Sequence, residues 1–267
     1  MKITVKEISE LRKETGFSIK GCKEALEESN GNHEEAIKIL RLKGLKKLDN
    51  REGKTNEGKV FLIKDNSKNV ANMMSLECET EATSNNLEFE LIGLEMTDCP
   101  NIGFERMVEN DLKDFAIKVA ERIKVGQHYT MKRDFISSYI HHNKKLGVLV
   151  GFDNIKGLDK EKLYNIGKDL CFVIAANNPK SLDEPSLDPT FLEYELDLIR
   201  TQLKEDPKFS NKPGVVIEKI LTGKKQKIFK ENCLIEQEFL SGEYTGKKIK
   251  DVLPINVAEF KRIEIGA

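Results

Sequence analysis

Apolar positions along the first 44 residues come at helical intervals, in three short groups. Val5, Ile8 and Leu11 form the first. Thr4, followed three residues on by Glu7, is a capping-box pair that satisfies orphan amides at a helix start. Gly16 breaks this helix, and Ser18 caps a second whose apolar side carries Ile19, Cys22, Ala25 and Leu26. The Asn30-Gly31 turn and the Asn32/Glu35 pair introduce a third helix through Ile37 and Leu40, with Gly44 as a natural stop. Helices this short bury their stripes only as a compact bundle. Residues 1–44 therefore predict a three-helix module of the ubiquitin-associated type.

Residues 45–59 are polar and charged, with Gly53 and Gly58, and are expected to form a linker. The pattern then changes to alternation. Val60–Ile63 and Val70–Cys78 predict paired strands joined by a turn at 65–69. Helical spacing follows at Leu87–Met96 and Val108–Lys124. A second strand pair is predicted at Phe135–Ile140 and Leu146–Phe152, joined by His141-His142-Asn143-Lys144-Lys145, and then a helix from about Asp159 to Asn177, stopped by Pro179. Asp188–Glu205 and Val215–Leu221 are helical in pattern, and Phe260–Ile265 returns as a strand. The stretch 111–120 lines up loosely with 166–175, which suggests one motif used twice. The expected fold class is α+β: the three-helix module, then a core of two related halves at 60–134 and 135–267, each a small antiparallel sheet packed with helices.

Charge refines this picture without changing the fold. The chain has 267 residues, 44 basic and 45 acidic, with a formal net charge of −1. This balance argues against direct nucleic-acid binding, which needs a basic excess. Its distribution is uneven. Nine acidic residues face one base, Arg106, between Leu76 and Asn110, whereas Arg200–Lys250 leans basic. Most such charges are solvated, but a segmental dipole can orient a protein partner during encounter. No stretch is apolar for long enough to cross a bilayer and no signal core precedes the first helix, so a cytoplasmic location is expected. The five cysteines, Cys22, Cys78, Cys99, Cys171 and Cys233, are scattered and odd in number, as suits reduced thiols.

Catalytic patterns are missing. Gly53-Lys54-Thr55 resembles the end of a phosphate-binding loop, but the first glycine that loop requires falls at Leu48. No glycine-rich dinucleotide turn, nucleophile elbow or HExxH helix occurs. The four histidines lack cysteine or carboxylate partners at metal-ligand spacing. Neither a cofactor, a metal nor bond chemistry is expected.

What the chain does carry is a set of motifs. Leu11-Arg12, Thr15-Gly16, Cys22-Lys23 and Ala25-Leu26, continued by Gly31-Asn32 and Glu35-Ala36-Ile37, fit the form LRxxTGxxxxxCKxAL with its following turn and third helix. Leu76–Thr80 stands where an ECxTDFVAxN segment belongs. Tyr139-Ile140-His141-His142 with Leu146–Val150, and Ile228–Phe239, follow in order. By these residues the chain resembles the elongation factor Ts family over nearly its whole length. The resemblance implies a guanine-nucleotide exchange factor that binds elongation factor Tu and expels GDP by distorting its magnesium and phosphate-binding regions, without bond chemistry. It places Arg12, Ile19 and Lys20 on the docking surface of the first module, although Ile19 fits a core position equally well. It places Thr80 and the family's acidic–aromatic pair, which falls on Glu81 and Ala82, on the partner-binding surface of the core. It assigns to His141 or His142 the histidine near the partner's phosphate loop.

One departure changes what is expected of activity. The carboxylate of the acidic–aromatic pair is kept in Glu81, but alanine replaces the aromatic ring and its large apolar contact area. Two other functions therefore stand beside efficient exchange: an elongation factor Tu-binding homologue with weak exchange, and an adaptor that uses the helical module to hold another protein.

Overall fold

In the computed structural model, residues 3–49, 53–98, 104–206, 208–209, 213–252 and 256–266 are described. Cys99 and residues 50–52 of the expected linker lie outside them. The first module is three helices, α1 (Val5–Thr15), α2 (Ile19–Glu28) and α3 (His33–Asp49). The Thr4–Glu7 capping box forms, and Ser18 Oγ accepts the Gly21 amide at 3.1 Å. Leu11, Cys22, Ala25, Leu26, Ala36 and Leu40 make the buried centre.

Gly44 does not stop α3, which runs on to Asp49. Its role is spatial: a Cβ there would lie 2.5 Å from Ile117 Cγ2 and 2.8 Å from the Ile117 carbonyl oxygen. The missing side chain lets α3 lie directly on a core helix. Arg41 adds an ion pair to Asp114 at 3.0 Å across the same seam, exposed and hence worth little.

The core repeats one topology. In the first half, β1 (Glu57–Asp65) and β2 (Val70–Cys78) form a hairpin, α4 (Glu81–Ser84), α5 (Leu87–Asp98) and α6 (Phe104–Val119) follow, and β3 (Lys124–Lys132) returns beside β2. In the second, the hairpin is β4 (Phe135–Ile140) and β5 (Leu146–Asp153). After it come α7 (Lys160–Asn177), α8 (Pro189–Glu205), α9 (Gly214–Asn232) and α10 (Ile249–Val252), and β6 (Asn256–Glu264) returns beside β5. All pairings are antiparallel. The helix laid on the hairpin is α5 in one half and α7 in the other. The loose match of 111–120 with 166–175 pairs α6 with α7 instead, so the duplication is one of topology more than of that alignment.

The two sheets face each other. Even-numbered residues of β2 (Met74, Leu76, Cys78) point outward to Phe89 and Phe115 of α5 and α6, while Ala71 and Met73 point inward. In β5, Val148, Val150 and Phe152 point outward to α7, and Leu149 points inward. Strand alternation thus sorts residues into three apolar layers. The inner layer joins Val60, Ala71, Met73 and Met131 of one sheet to Ile136, Leu149 and Ile263 of the other. Gly147 and Gly151 make room for it: a Cβ at Gly147 would sit 2.7 Å from Val60 Cγ1 and 2.8 Å from Met73 Sδ.

Two further elements differ from expectation. α6 ends at Val119, with Ala120 at φ 54, and β3 begins where helix was predicted. β3 is an edge strand whose side chains are mostly polar and exposed, anchored by buried Met131. It has little apolar alternation to announce it, because an edge strand is held mainly by ladder hydrogen bonds. α9 continues far past Leu221 through a lysine-rich middle, since Ile228 and Phe229 at its far end enter a cluster with Leu187, Leu196 and Cys233.

The sheet seam sets a stability prediction. Gly147→Val is expected to lower stability by about 1–3 kcal/mol, the usual cost of overpacking a closed core. Gly223→Ala, in α9 with open space around it, is expected to raise stability by about 0.5–1 kcal/mol. Urea midpoints of both variants check the pair; a neutral Gly147→Val would show that the sheets are not in close contact there.

Candidate functional site

The turn between α1 and α2 explains several of the first module's motif letters structurally. Thr15 Oγ1 donates to the Leu11 carbonyl at 2.6 Å, and Gly16, at φ 69, donates its amide to the Arg12 carbonyl at 2.7 Å. The Cys22 thiol is buried beneath, near Thr15 Oγ1 at 4.0 Å, and burial pushes its pKa up. These residues fix the turn. Around them Arg12, Ile19 and Lys20 face outward, and Ile19 is 59% exposed, so it belongs to the surface and not to the core. Lys20 pairs with Glu24 at 3.9 Å along the helix, an exposed contact of little energy.

At the end of β2 the chain turns into α4. Thr80 is its N-cap: Thr80 Oγ1 accepts the Thr83 amide at 3.3 Å and donates to Glu121 Oε1 at 2.7 Å. Glu121 Oε2 accepts the Thr80 amide at 3.1 Å. Thr80 is exposed, and buried Glu121, tied to its hydroxyl and amide, holds the loop from below. Cys78 closes the base, its thiol donating to the Thr80 carbonyl at 3.2 Å, with a pKa raised to about 12 mainly by burial. Glu81 and Ala82 are exposed. Glu121 was not foreseen, since nothing in the sequence links it to a threonine 41 residues away.

The β4–β5 tip is a tight turn. His141 donates its amide to the Leu146 carbonyl at 2.9 Å, Lys144 donates its amide to the His141 carbonyl at 2.8 Å, and Lys144 takes φ 56. His141 is half-buried, with Nδ1 2.6 Å from the Tyr139 hydroxyl, and Tyr139 meets Phe172 edge-on at 5.1 Å. The His142 ring lies tilted against that of His141, centroids 4.3 Å apart, and is exposed.

Both loops flank the start of β1. Residue 57 pairs with Cys78 at the end of β2, so α4 lies against this end, and the Val60 amide donates to the Lys144 carbonyl at 2.6 Å. Lys145 pairs with Glu57 at 2.6 Å. Above them Glu90 of α5 takes two cations, Lys59 at 2.8 Å and Lys144. Hydrogen bonds from Lys144, then Lys59, hold its carboxyl below the ordinary value, against the opposing effect of burial. Glu90 therefore clamps the histidine turn to the helix that continues from α4.

The first module is linked to α5 through α6. The side chain of Lys118 in α6 lies over Gly16, where a Cβ would be 1.9 Å from Lys118 Cε, and its ammonium pairs with Glu88. A hollow of about 1010 Å³ on the α3–α6 seam, lined by Leu45, Leu48, Leu112 and Lys113 among others, includes none of these candidate residues. Among the described residues no His/Cys/Asp/Glu group could hold a metal, and no helix is long and apolar enough to cross a membrane.

Comparison with known proteins finds relatives over nearly the whole chain. The family model described as Elongation factor TS matches residues 69–267. The elongation factor Ts of Clostridium kluyveri is 32% identical over 99% of this chain and 93% of its own length. That of Cytophaga hutchinsonii is 32% identical over 98% of this chain and 99% of its own length. That of Aquifex aeolicus is 28% identical over 100% and 99%.

The clamp predicts a pH dependence. The folded state favours the Glu90 carboxylate, so its contribution is complete above the ordinary value of 4.5 and fades as pH falls below it toward the depressed native value. Glu90→Gln should cost about 1.5–3 kcal/mol at pH 7, as for hydrogen bonds to a charged group. The difference from wild type should shrink in acid. Urea midpoints over a pH series check this, and a gap unchanged in acid would show that the clamp is not ionic.

Proposed function

Since the chain belongs to the elongation factor Ts family, we propose that it binds elongation factor Tu in its GDP form and promotes GDP release during translation elongation. It would do so by protein contact alone, without bond chemistry or a cofactor. The observation that carries this reading is the convergence of segments far apart in sequence. Glu81-Ala82 and the histidine turn flank the start of β1, and α5 between them is tied through Lys118 to the turn of the first module.

On this reading Arg12, Ile19 and Lys20 form the contact of the first module, and Glu81, Ala82 and His142 the contact of the core. Thr80, itself exposed, and half-buried His141 border this contact, held in place by Glu121 and Tyr139. Exchange follows from linkage: a partner that favours the nucleotide-free GTPase weakens nucleotide binding by the same coupling free energy. Contacts made equally in both states shift nothing, so the core contacts must tighten as GDP leaves.

Ala82 supports a second reading, that of a homologue that binds elongation factor Tu with weak exchange. Its methyl group is exposed where the family carries an aromatic ring, and a fully buried ring would contribute about 1.5–3 kcal/mol. The adaptor reading has no comparable support in the core.

Two outcomes are expected. The chain and elongation factor Tu co-elute one-to-one on gel filtration in nucleotide-free buffer and separate when GDP and Mg²⁺ are added; no complex without nucleotide would refute the assignment. In stopped-flow release of fluorescent GDP, Glu81→Ala slows release and Ala82→Phe accelerates it. Unchanged rates in both would move the exchange contact away from α4, toward the histidine turn.

A further inference from the structure

α5 carries apolar residues on both of its sides. Phe89, Ile92 and Met96 are buried against β1, β2 and α6, yet Leu87, Leu91 and Leu94 are 73%, 52% and 40% exposed. Spacings of four and three residues put these leucines on one stripe of the helix. A single exposed leucine is unremarkable, but three in a row on one solvent face mark an interaction surface.

The flanks of the stripe say where it looks. At about 100° per residue, Glu90 lies on one side of the leucine line and Glu88 and Glu95 on the other. Glu90 holds Lys144 of the histidine turn, and Glu88 holds the lysine that covers Gly16 of the first module. α4, with Glu81 and Ala82, ends three residues before Leu87. The stripe is therefore enclosed by the three segments assigned above to partner contact: the first module on one flank, the histidine turn on the other, Glu81-Ala82 at its start. Exposed Glu81, Glu95 and Asp98 give it an acidic border.

We propose that Leu87, Leu91 and Leu94 are the apolar centre of the docking surface, and that their occupant is an apolar patch of elongation factor Tu bordered by basic side chains. The proposal rests on the exchange-factor reading and adds to it the residues that supply most of the contact's apolar area. In an interface of this build, the desolvated centre dominates affinity and the charged rim mainly directs encounter.

The test uses the full chain with Leu91→Asp, and Val215→Asp, a charge placed at a 71% exposed position at the start of α9, as its control. Both sites are exposed, and thermal midpoints should match wild type. Affinity for nucleotide-free elongation factor Tu, measured by calorimetry, should fall about tenfold or more for Leu91→Asp and stay at the wild-type value for Val215→Asp. Wild-type affinity in Leu91→Asp overturns the proposal, as does an equal loss in both variants. A wild-type homodimer that Leu91→Asp dissolves while binding to elongation factor Tu persists would assign the stripe to a second copy of this chain and also overturn it. If the wild-type chain fails to bind elongation factor Tu at all, the exchange-factor reading falls, an outcome separate from these.

Discussion

The close approach of the two sheets is the constraint on which the rest of the molecule depends. It is made by absent side chains. Gly147 and Gly151 on the inner face of β5 leave room for Val60, Met73 and Met131 of the opposite sheet. That contact brings the β4–β5 tip down beside β1, where the Val60 amide reaches the Lys144 carbonyl. Without it, the histidine turn and the Glu81-Ala82 loop would belong to two separate small sheets. Buried apolar area supplies the driving force, and the glycines decide its geometry.

Polar contacts then fix what the sheets bring near. Glu90 ties the histidine turn to α5, and Glu121 ties the Thr80 loop to the end of α6. Both are partly or wholly buried carboxylates that accept two hydrogen bonds, from two lysines at Glu90 and from the Thr80 amide and hydroxyl at Glu121, and such charge-assisted bonds are directional as well as attractive. The first module is held differently. Gly44 against Ile117 and Lys118 over Gly16 are contacts of shape, reinforced by an exposed ion pair of small energy. The division suits a protein that binds by surface. The core loops are each tied by several polar contacts, and the module is set against the core by a helix–helix seam.

Much of this was legible in the sequence because the signals are local. Capping pairs located α1 and α2, Asp159 and Asp188 stand as N-caps of α7 and α8, and alternation located the hairpins. What was not legible depends on contacts between distant segments. Gly44 has the signature of a helix stop, and only the approach of Ile117 shows why the helix continues. β3 is polar because its partner strand supplies the ladder. Thr80 carries a motif letter, and its tie as an N-cap to Glu121 is visible only in the fold. The resemblance to the family set alanine at position 82 where it implies an aromatic. The sequence did not show the stripe of Leu87, Leu91 and Leu94, because an exposed leucine and a buried one read alike until the helix is placed.

The central claim is that the first module, the Glu81-Ala82 loop, α5 and the histidine turn form one continuous partner-facing surface. Hydrogen–deuterium exchange of the chain, free and in nucleotide-free complex with elongation factor Tu, tests it most directly. The account predicts that peptides covering residues 12–20, 80–94 and 139–146 gain protection together. Protection confined to the first module, with exchange at 80–94 and 139–146 unchanged, would contradict it.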